Sequence, residues 1–246
     1  MISAVILAAG ESRRMGKQNK LLLPVDGEAL LVKLVKSVCD SDAGQVLVVI
    51  GHEAQMVKDS VPNKNILFSM RTFIAIEISD KKILEKIQKF QQELQIDAKP
   101  TKINQIHFTL KFLGEINDEQ CEKIKDSLRE ITFSQFDLLL KGVGGFPNLR
   151  NPRIVWIGTE DVGAKKLIEI SNKIEAGLMP LGFHNDKKFI PHLTVFRIKN
   201  KIDDVSSRLK EYKSIEFGSQ PITCLLYTSD AADDMPVCRS RWSPYH

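Results

Sequence analysis

Two short segments of this chain place a histidine and a threonine two residues apart inside an apolar, strand-like run. They are His107–Thr109 and His192–Thr194. Side chains two apart on a strand point to the same face, so each segment would present an imidazole and a hydroxyl together. Histidine exchanges protons near neutral pH, and a hydroxyl can stabilise a developing oxyanion. Two such strands facing one cleft predict metal-free acid–base chemistry on a phosphoryl group.

The elements that would position these groups repeat along the chain. Strands are predicted over 105–113 and 190–198, and a helix is predicted to begin eleven residues after each histidine, at Asp118 and Asp203. Amphipathic helices from Asp80 and from Asp161 precede the two strands. One histidine on a strand is more often structural than catalytic, but two copies in a repeated unit favour a shared site. We predict an α+β fold, a pseudo-twofold, two-lobed antiparallel-sheet domain with a cleft between the lobes.

The N-terminal segment has a different organisation. A strand over Ser3–Leu7 is followed by the glycine-containing turn Ala8–Gly16, then by a helix over 28–39 and a strand over 45–50. A glycine-rich turn after a strand lets backbone N–H groups approach phosphates. The pattern predicts a Rossmann-like βαβ fragment, with or without a bound ligand.

This turn resembles the nucleotide-binding signature of the molybdenum-cofactor nucleotidyltransferases. The residues that carry the resemblance are Leu7-Ala8-Ala9-Gly10, Ser12, Arg14-Met15-Gly16 and Asn19–Pro24. It implies a nucleoside triphosphate site at Ala9, Gly10, Arg14 and Lys20. The acidic Mg²⁺ ligands of that family lie further along, and nothing after residue 65 continues its pattern. We interpret residues 1–65 as a truncated, inactive domain.

Composition bounds the class of protein. The chain has 246 residues, 43% of them hydrophobic and 27% charged, with a net charge of +4. That is typical of a globular protein, and no apolar run is long enough to span a bilayer. The N-terminus lacks the basic region of a signal peptide, and the four cysteines show no metal-ligand or disulfide spacing. We expect a cytoplasmic protein that contacts no membrane.

Changes in character along the chain predict its domain limits. Residues 61–65 are turn-rich, and Met70 looks like the natural start of another protein, which leaves 66–69 as a junction. Residues 224–246 show neither helical nor strand periodicity and resemble a translated adapter sequence. We expect a separate domain over 70–223 that carries both histidine segments, a foreign unstructured tail over 224–246, and a chimera as a whole.

Residues 70–222 resemble the two-histidine phosphoesterase superfamily, specifically the RNA 2′,3′-cyclic phosphodiesterases, also called 2′-5′ RNA ligases. The matching motifs, in order, are Arg71–Ile76, His107–Gly114, Gly142–Pro147 with Arg153–Trp156, and Pro191–Arg197. The family usually carries two further C-terminal strands, which the tail replaces here after Thr223.

The resemblance implies hydrolysis of a 2′,3′-cyclic phosphate to a 2′-phosphomonoester, and the reverse 2′-5′ ligation. The implied catalytic residues are His107, His192, Thr109 and Thr194, with no metal or other cofactor. One imidazole would act as base and the other as acid. The sequence leaves the assignment open and favours His192 as base.

Four further residues are candidates for contacting the substrate. Strict alternation places Lys111 on the face of His107, which makes it the better basic candidate from periodicity. Arg197 matches a family position, but alternation places it opposite the face of His192 unless the strand twists or bulges. Phe146 and Trp156 are candidates for stacking on a base, although Trp156 suits a core position equally well. The expected partners are RNA ends or cyclic nucleotides, and the expected state is a monomer.

Two other functions remain open. The first is a molybdopterin cytidylyl- or guanylyltransferase that uses Mg²⁺ and CTP or GTP at the N-terminal turn, although the chain does not supply its downstream acidic ligands. The second is an inactive RNA-binding module, if loss of the final strands opens the cleft.

Overall fold

The computed structural model describes residues 2–10, 12, 15–16, 18–51, 53–61, 66–184, 188–200, 202, 204–229 and 240–242. Its helices and strands divide between two compact units. The first comprises the described parts of 1–73, 112–126 and 227–240, and the second those of 74–111, 127–226 and 241–246.

The N-terminal part of the first unit is a parallel βαβ arrangement. Its elements are β1 (Ser3–Ala8), β2 (Pro24–Val25), β3 (Glu28–Ala29), α1 (Leu30–Cys39), β4 (Gln45–Ile50), α2 (Ala54–Ser60) and the start of β5 (Ile66–Glu77). Strand β4 lies between β1 and β5, and both pairings are parallel. Helix α1 buries Leu31, Val32 and Val35. The predicted Rossmann-like fragment is confirmed.

The structure differs from the sequence expectation at residues 66–69. These residues begin β5 and pair with β4, from Ile66 opposite Val46 to Met70 opposite Ile50. An apolar stretch that packs against a sheet must satisfy its backbone N–H and C=O groups, and strand pairing does so. The expected junction is therefore part of an uninterrupted strand. The domain limits at 65 and 70 stay a prediction.

The rest of the chain alternates strands and helices. The elements are α3 (Lys81–Leu94), β6 (Lys99–Pro100), β7 (His107–Ile116), α4 (Asp118–Arg129), β8 (Phe136–Phe146), β9 (Ile154–Thr159), α5 (Asp161–Leu178), β10 (Leu193–Arg197), α6 (Ser206–Glu211), β11 (Glu216–Ile222), β12 (Leu225–Ser229) and β13 (Ser240–Trp242). Short 3-10 turns cover Ile103–Gln105 and Met179–Leu181.

The sheet of the second unit has the order β5-β7-β10-β9-β8-β11. The pairs β7–β10, β10–β9, β9–β8 and β8–β11 are all antiparallel. The long helices bury the apolar stripes that the sequence predicts: Ile83, Ile87, Phe90 and Leu94 in α3, and Leu167, Ile170, Ile174 and Leu178 in α5. The predicted α+β class with its antiparallel sheet is confirmed.

Two predicted boundaries need correction. Helix α4 begins at Asp118 as expected, but α6 begins at Ser206 rather than near Asp203, which lies outside the described residues. The Asp204 carboxylate accepts a hydrogen bond from the Ser206 N–H at 2.8 Å and so holds the chain outside the helix up to that point. The equal offset of eleven residues therefore does not hold in the second half.

The expectation of an unstructured tail fails at residues 225–229. These residues form β12, which pairs with β5 and β13. Leu225, Leu226 and Tyr227 are buried. Burial of large apolar side chains is favourable enough to order a short segment on a sheet. Residues 230–239 and 243–246 of the expected tail lie outside the described residues.

Candidate active site

The pairing of β7 with β10 brings the two histidine segments together. Phe108 lies opposite Leu193, and both side chains are fully buried. In an antiparallel pair, the residues one step to either side also lie opposite each other and point to the other face of the sheet. The flanking pairs are His107 opposite Thr194 and Thr109 opposite His192. These four half-buried side chains form a quartet around a local twofold axis.

Both imidazoles bond to the backbone two residues upstream. His192 Nδ1 lies 2.7 Å from the carbonyl oxygen of Ile190, and His107 bonds to the backbone of Gln105. A neutral imidazole that donates from Nδ1 carries its lone pair on Nε2. In both segments the imidazole therefore bonds to the backbone two residues before it.

The surroundings of His107 favour its neutral form. Burial lowers the pKa of His107 below its usual value, and the positive charge of Arg197 lowers this pKa further. The bond to Gln105 and the negative charge of Glu77 act in the opposite direction but do not outweigh burial. A neutral imidazole is the form that a general base requires. The sequence alone did not identify Glu77 as a site residue. The one feature that could have indicated it is its position at the end of strand β5.

Arg197 reaches the histidine face because β10 contains a bulge. Thr194 lies opposite Trp156, and Arg197 lies opposite Ile154. Three steps along β10 thus correspond to two along β9, and Val195 is the extra residue. The extra residue reverses the alternation and brings Arg197 to the face of Thr194. Strict alternation allows Arg197 on this face only if the strand twists or bulges, and β10 contains a bulge.

The bulge is held by hydrogen bonds from neighbouring elements. The Val195 carbonyl oxygen accepts from the Thr101 N–H at 2.9 Å and from the Gln91 side-chain amide of α3 at 2.9 Å. Gln91 also donates to the Thr101 carbonyl oxygen at 2.9 Å. These bonds satisfy the backbone group that the bulge removes from the regular ladder.

The structure buries Lys111 rather than exposing it on the histidine face, and its contact with substrate stays a prediction. Alternation breaks after Leu110, so that Leu110 and Lys111 are both buried. The Lys111 ammonium forms an ion pair with Glu175 of α5, and its side chain has no exposed surface. Ser171 of the same helix donates to the Leu110 carbonyl oxygen at 3.2 Å. Lys111 therefore points towards α5 because the helix supplies the partner that a buried ammonium requires.

Phe146 packs against His192. Their ring centroids are 5.0 Å apart at an interplanar angle of 84°, and the Phe146 and Trp156 rings are 5.3 Å apart. Trp156 lies opposite Gly144 of β8, where an added Cβ would lie within 2.6 Å of three indole atoms. The indole therefore lies flat over Gly144, in a row of aromatic rings that ends at His192.

The predicted nucleotide-binding residues follow β1. Ala9 and Gly10 come directly after the strand, Gly10 is exposed, and a Cβ there would meet nothing within 4 Å. Lys20 is exposed, and its backbone N–H donates to the Ser12 hydroxyl at 3.0 Å. Arg14 lies outside the described residues. A role for this loop in nucleotide binding stays a prediction.

The described part of the chain contains neither a metal-ligand cluster nor a membrane-spanning helix. Within it, no group of three or more His, Cys, Asp or Glu side chains could hold a metal ion. None of the described helices is both long enough and apolar enough to cross a membrane.

Two family models match this chain. A model described as LigT-like phosphoesterase matches residues 76–156, and one described as a MobA-like NTP transferase domain matches residues 4–81. The chain is 38% identical to the RNA 2′,3′-cyclic phosphodiesterase of Archaeoglobus fulgidus over 62% of its own length and 86% of that protein. It is 35% identical to the Methanocaldococcus jannaschii protein of the same name, over 68% of its own length and 96% of that protein.

Solved structures share the fold. The structure of Escherichia coli LigT in complex with NADP⁺ aligns with a TM-score of 0.55 at 23% identity, over 71% of this chain and 98% of that one. A Thermus thermophilus protein aligns with the same TM-score and identity, over 71% of this chain and 94% of that one.

Proposed function

Because the chain belongs to the LigT-like phosphoesterase family, we propose that its quartet of two histidines and two threonines hydrolyses the 2′,3′-cyclic phosphate ends of RNA. The product is a 2′-phosphomonoester. The observation that carries this proposal is the pairing of Phe108 with Leu193, because it sets His107 beside Thr194 and His192 beside Thr109.

Proton transfer is divided between the two histidines. One neutral imidazole takes a proton from the water that attacks phosphorus, and the other, as imidazolium, protonates the ribose O3′ as the P–O3′ bond breaks. The lowered pKa of His107 supports His107 as base and His192 as acid. This is the reverse of the assignment that the sequence favours. If the 5′-hydroxyl of a second chain takes the place of water as the nucleophile, the same steps open the cyclic phosphate at the P–O3′ bond and give the 2′-5′ linkage.

The threonines and Arg197 act on the phosphoryl oxygens. Thr109 and Thr194 donate hydroxyl hydrogen bonds to the two non-bridging oxygens as negative charge develops on them. The Arg197 guanidinium, brought to this face by the bulge, adds a positive charge. Phe146 holds the His192 ring in place rather than stacking on a base.

The decisive experiment measures hydrolysis of a 2′,3′-cyclic nucleotide in excess EDTA. We expect turnover that does not depend on a metal. His107→Ala and His192→Ala should each lower kcat by about 10²–10⁴-fold, the usual contribution of a general acid or base. His184→Ala is the matched control, because this exposed histidine lies outside the quartet and its loss should leave kcat unchanged.

Two results would contradict the proposal. One is the absence of turnover in protein whose circular dichroism shows it to be folded, and with retained RNA binding this would favour a binding module. The other is activity that requires Mg²⁺ and CTP or GTP, which would favour the nucleotidyltransferase suggested by the match over residues 4–81.

A further inference from the structure

A groove of about 420 Å³ lies in the second unit beside the quartet. Gly144 and Gly145 of β8, Trp156 of β9, and Asn148 and Leu149 of the following loop form one side of it. Leu209 and Lys210 of α6, with Lys213, form the other. The proposed reaction at the cyclic phosphate does not use this groove.

Trp156 connects the groove to the reacting groups. It lines the groove, lies opposite Thr194 across the β9–β10 pairing, and contacts Phe146, whose ring contacts His192. Two strand spacings, about 10 Å, separate β9 from β7, which carries His107. A base that contacts the indole can therefore belong to the same RNA strand whose terminal phosphate lies at the quartet.

The surface around the groove is rich in cations. Lys210 and Lys213 are both exposed. Arg150 is also exposed. Hydrogen bonds from Ser206 lower the pKa of the nearby Asp204 carboxyl most, and the positive charges of Arg150 and Lys210 lower it further. Three cations against the carboxylates of Asp204 and Glu211 leave a net positive charge, which suits a phosphodiester.

The aromatic surface is also suited to a base. Because Gly144 has no side chain, the indole lies flat on the sheet, and it is only half-buried. A flat aromatic ring flanked by lysines is the arrangement by which proteins hold single-stranded RNA, through base stacking and phosphate contacts.

We propose that this groove binds the nucleotide immediately 5′ of the cyclic phosphate end, with its base on Trp156 and its phosphodiester beside Lys210 and Lys213. The inference rests on the proposed function, because it places the terminal ribose at the quartet. It makes oligonucleotides with a cyclic end, rather than cyclic mononucleotides, the preferred substrate class.

The test compares a 2′,3′-cyclic mononucleotide with a trinucleotide that carries the same cyclic end. Trp156→Ala should lower the ratio of kcat/KM for the trinucleotide to kcat/KM for the mononucleotide about tenfold, from loss of one stacked base, because any effect on His192 through Phe146 is common to both substrates. Trp156→Phe should restore most of the loss, because it keeps an aromatic face. Equal losses on both substrates, or none on either, would overturn the proposal.

A second measurement tests the lysines without a tryptophan substitution. Lys210→Ala with Lys213→Ala should reduce the slope of log affinity against log salt for the trinucleotide by about 0.7, the value for one phosphate that is no longer neutralised. Lys82→Ala with Lys86→Ala on α3 removes the same charge at exposed positions away from the groove and should leave the slope unchanged. The same change in both double variants would contradict the proposal.

A binding measurement separates this inference from the proposed function. The chain has two tryptophans, so Trp242→Phe leaves Trp156 as the only indole emitter. A trinucleotide ending in a 2′-phosphate should quench this emission at concentrations where the 2′-mononucleotide does not. Quenching without any turnover would refute the proposed hydrolysis and support nucleotide binding in the groove. Turnover without quenching would support the hydrolysis and refute binding in the groove.

Discussion

At the residue scale, the two histidines occupy equivalent positions in different surroundings. Partial burial and the charges of Arg197 and Glu77 act on His107, whereas His192 packs edge-on against Phe146. The local twofold symmetry of the quartet is thus broken by its neighbours. Distinct surroundings are what separate acid and base roles for two groups of the same type.

The pKa of His107 should respond in opposite directions to its two charged neighbours. Arg197→Met removes a positive charge, which favours the imidazolium, so the pKa should rise. Glu77→Gln removes a negative charge, so the pKa should fall below that of the unaltered protein. Titration of the His107 ring protons by NMR measures both shifts. Shifts of the same sign would exclude this description of the site.

The ion pair under α5 should matter for stability and not for catalysis. Glu175→Leu leaves the buried Lys111 ammonium without this partner and should destabilise the fold by about 3–5 kcal/mol. Lys111→Met removes the buried charge itself and should cost less, while leaving kcat/KM for a cyclic nucleotide within twofold. Urea unfolding and steady-state kinetics check both values. A large rise in KM for Lys111→Met would return this residue to the substrate site.

At the scale of elements, the central feature is the bulge in β10. A strand with one extra residue presents different side chains on either side of the insertion, and here that brings Thr194 and Arg197 to one face. The bulge depends on α3, because Gln91 bonds to the Val195 carbonyl oxygen. Helix α3, which contributes no residue to the quartet, therefore helps to position the Arg197 guanidinium beside it.

Replacing Gln91 should affect both stability and the site. Gln91→Met keeps the length of the side chain but loses two hydrogen bonds, to Val195 and Thr101, at a cost of about 1–3 kcal/mol. Because Arg197 loses part of its support, the His107 pKa should also rise towards its usual value. Gln88→Met, at an exposed position of the same helix, is the control. An unchanged His107 titration would show that the bulge holds without Gln91.

At the scale of the whole molecule, sequence segments of different character share structural units. Residues 66–69 continue into β5, and residues 225–229 add β12 beside it. The predicted domain limits therefore mark where the family resemblance of the sequence changes. The compact units instead group residues that pack together, and each unit combines separate stretches of the chain.

Removing the C-terminal segment should destabilise the protein. A chain ending at Thr223 loses the buried side chains of Leu225, Leu226 and Tyr227, each of which contributes about 1.5–3 kcal/mol when fully buried. The urea midpoint should fall clearly relative to a chain ending at Trp242, which keeps β12. Equal midpoints for the two chains would show that the segment contributes nothing to the fold.

The sequence by itself determined the faces and the chemistry. Period-two alternation put each histidine with its threonine, the helical stripes of α3 and α5 identified their buried sides, and the N-terminal turn indicated a βαβ unit. These features depend on residues a few positions apart, so local periodicity is sufficient to predict them. The motifs then indicated the family, which the comparisons confirm.

Only the tertiary structure decided which charges serve the site. Arg197 and Lys111 occupy similar places along their strands, yet the bulge brings Arg197 to the histidines while Glu175 draws Lys111 under a helix. The order of β12 likewise depends on the sheet beside it. A local pattern fixes the direction of a side chain only while the strand stays regular. Where partners distant in sequence interrupt it, as Gln91 and Glu175 do, the outcome depends on contacts that no local pattern contains.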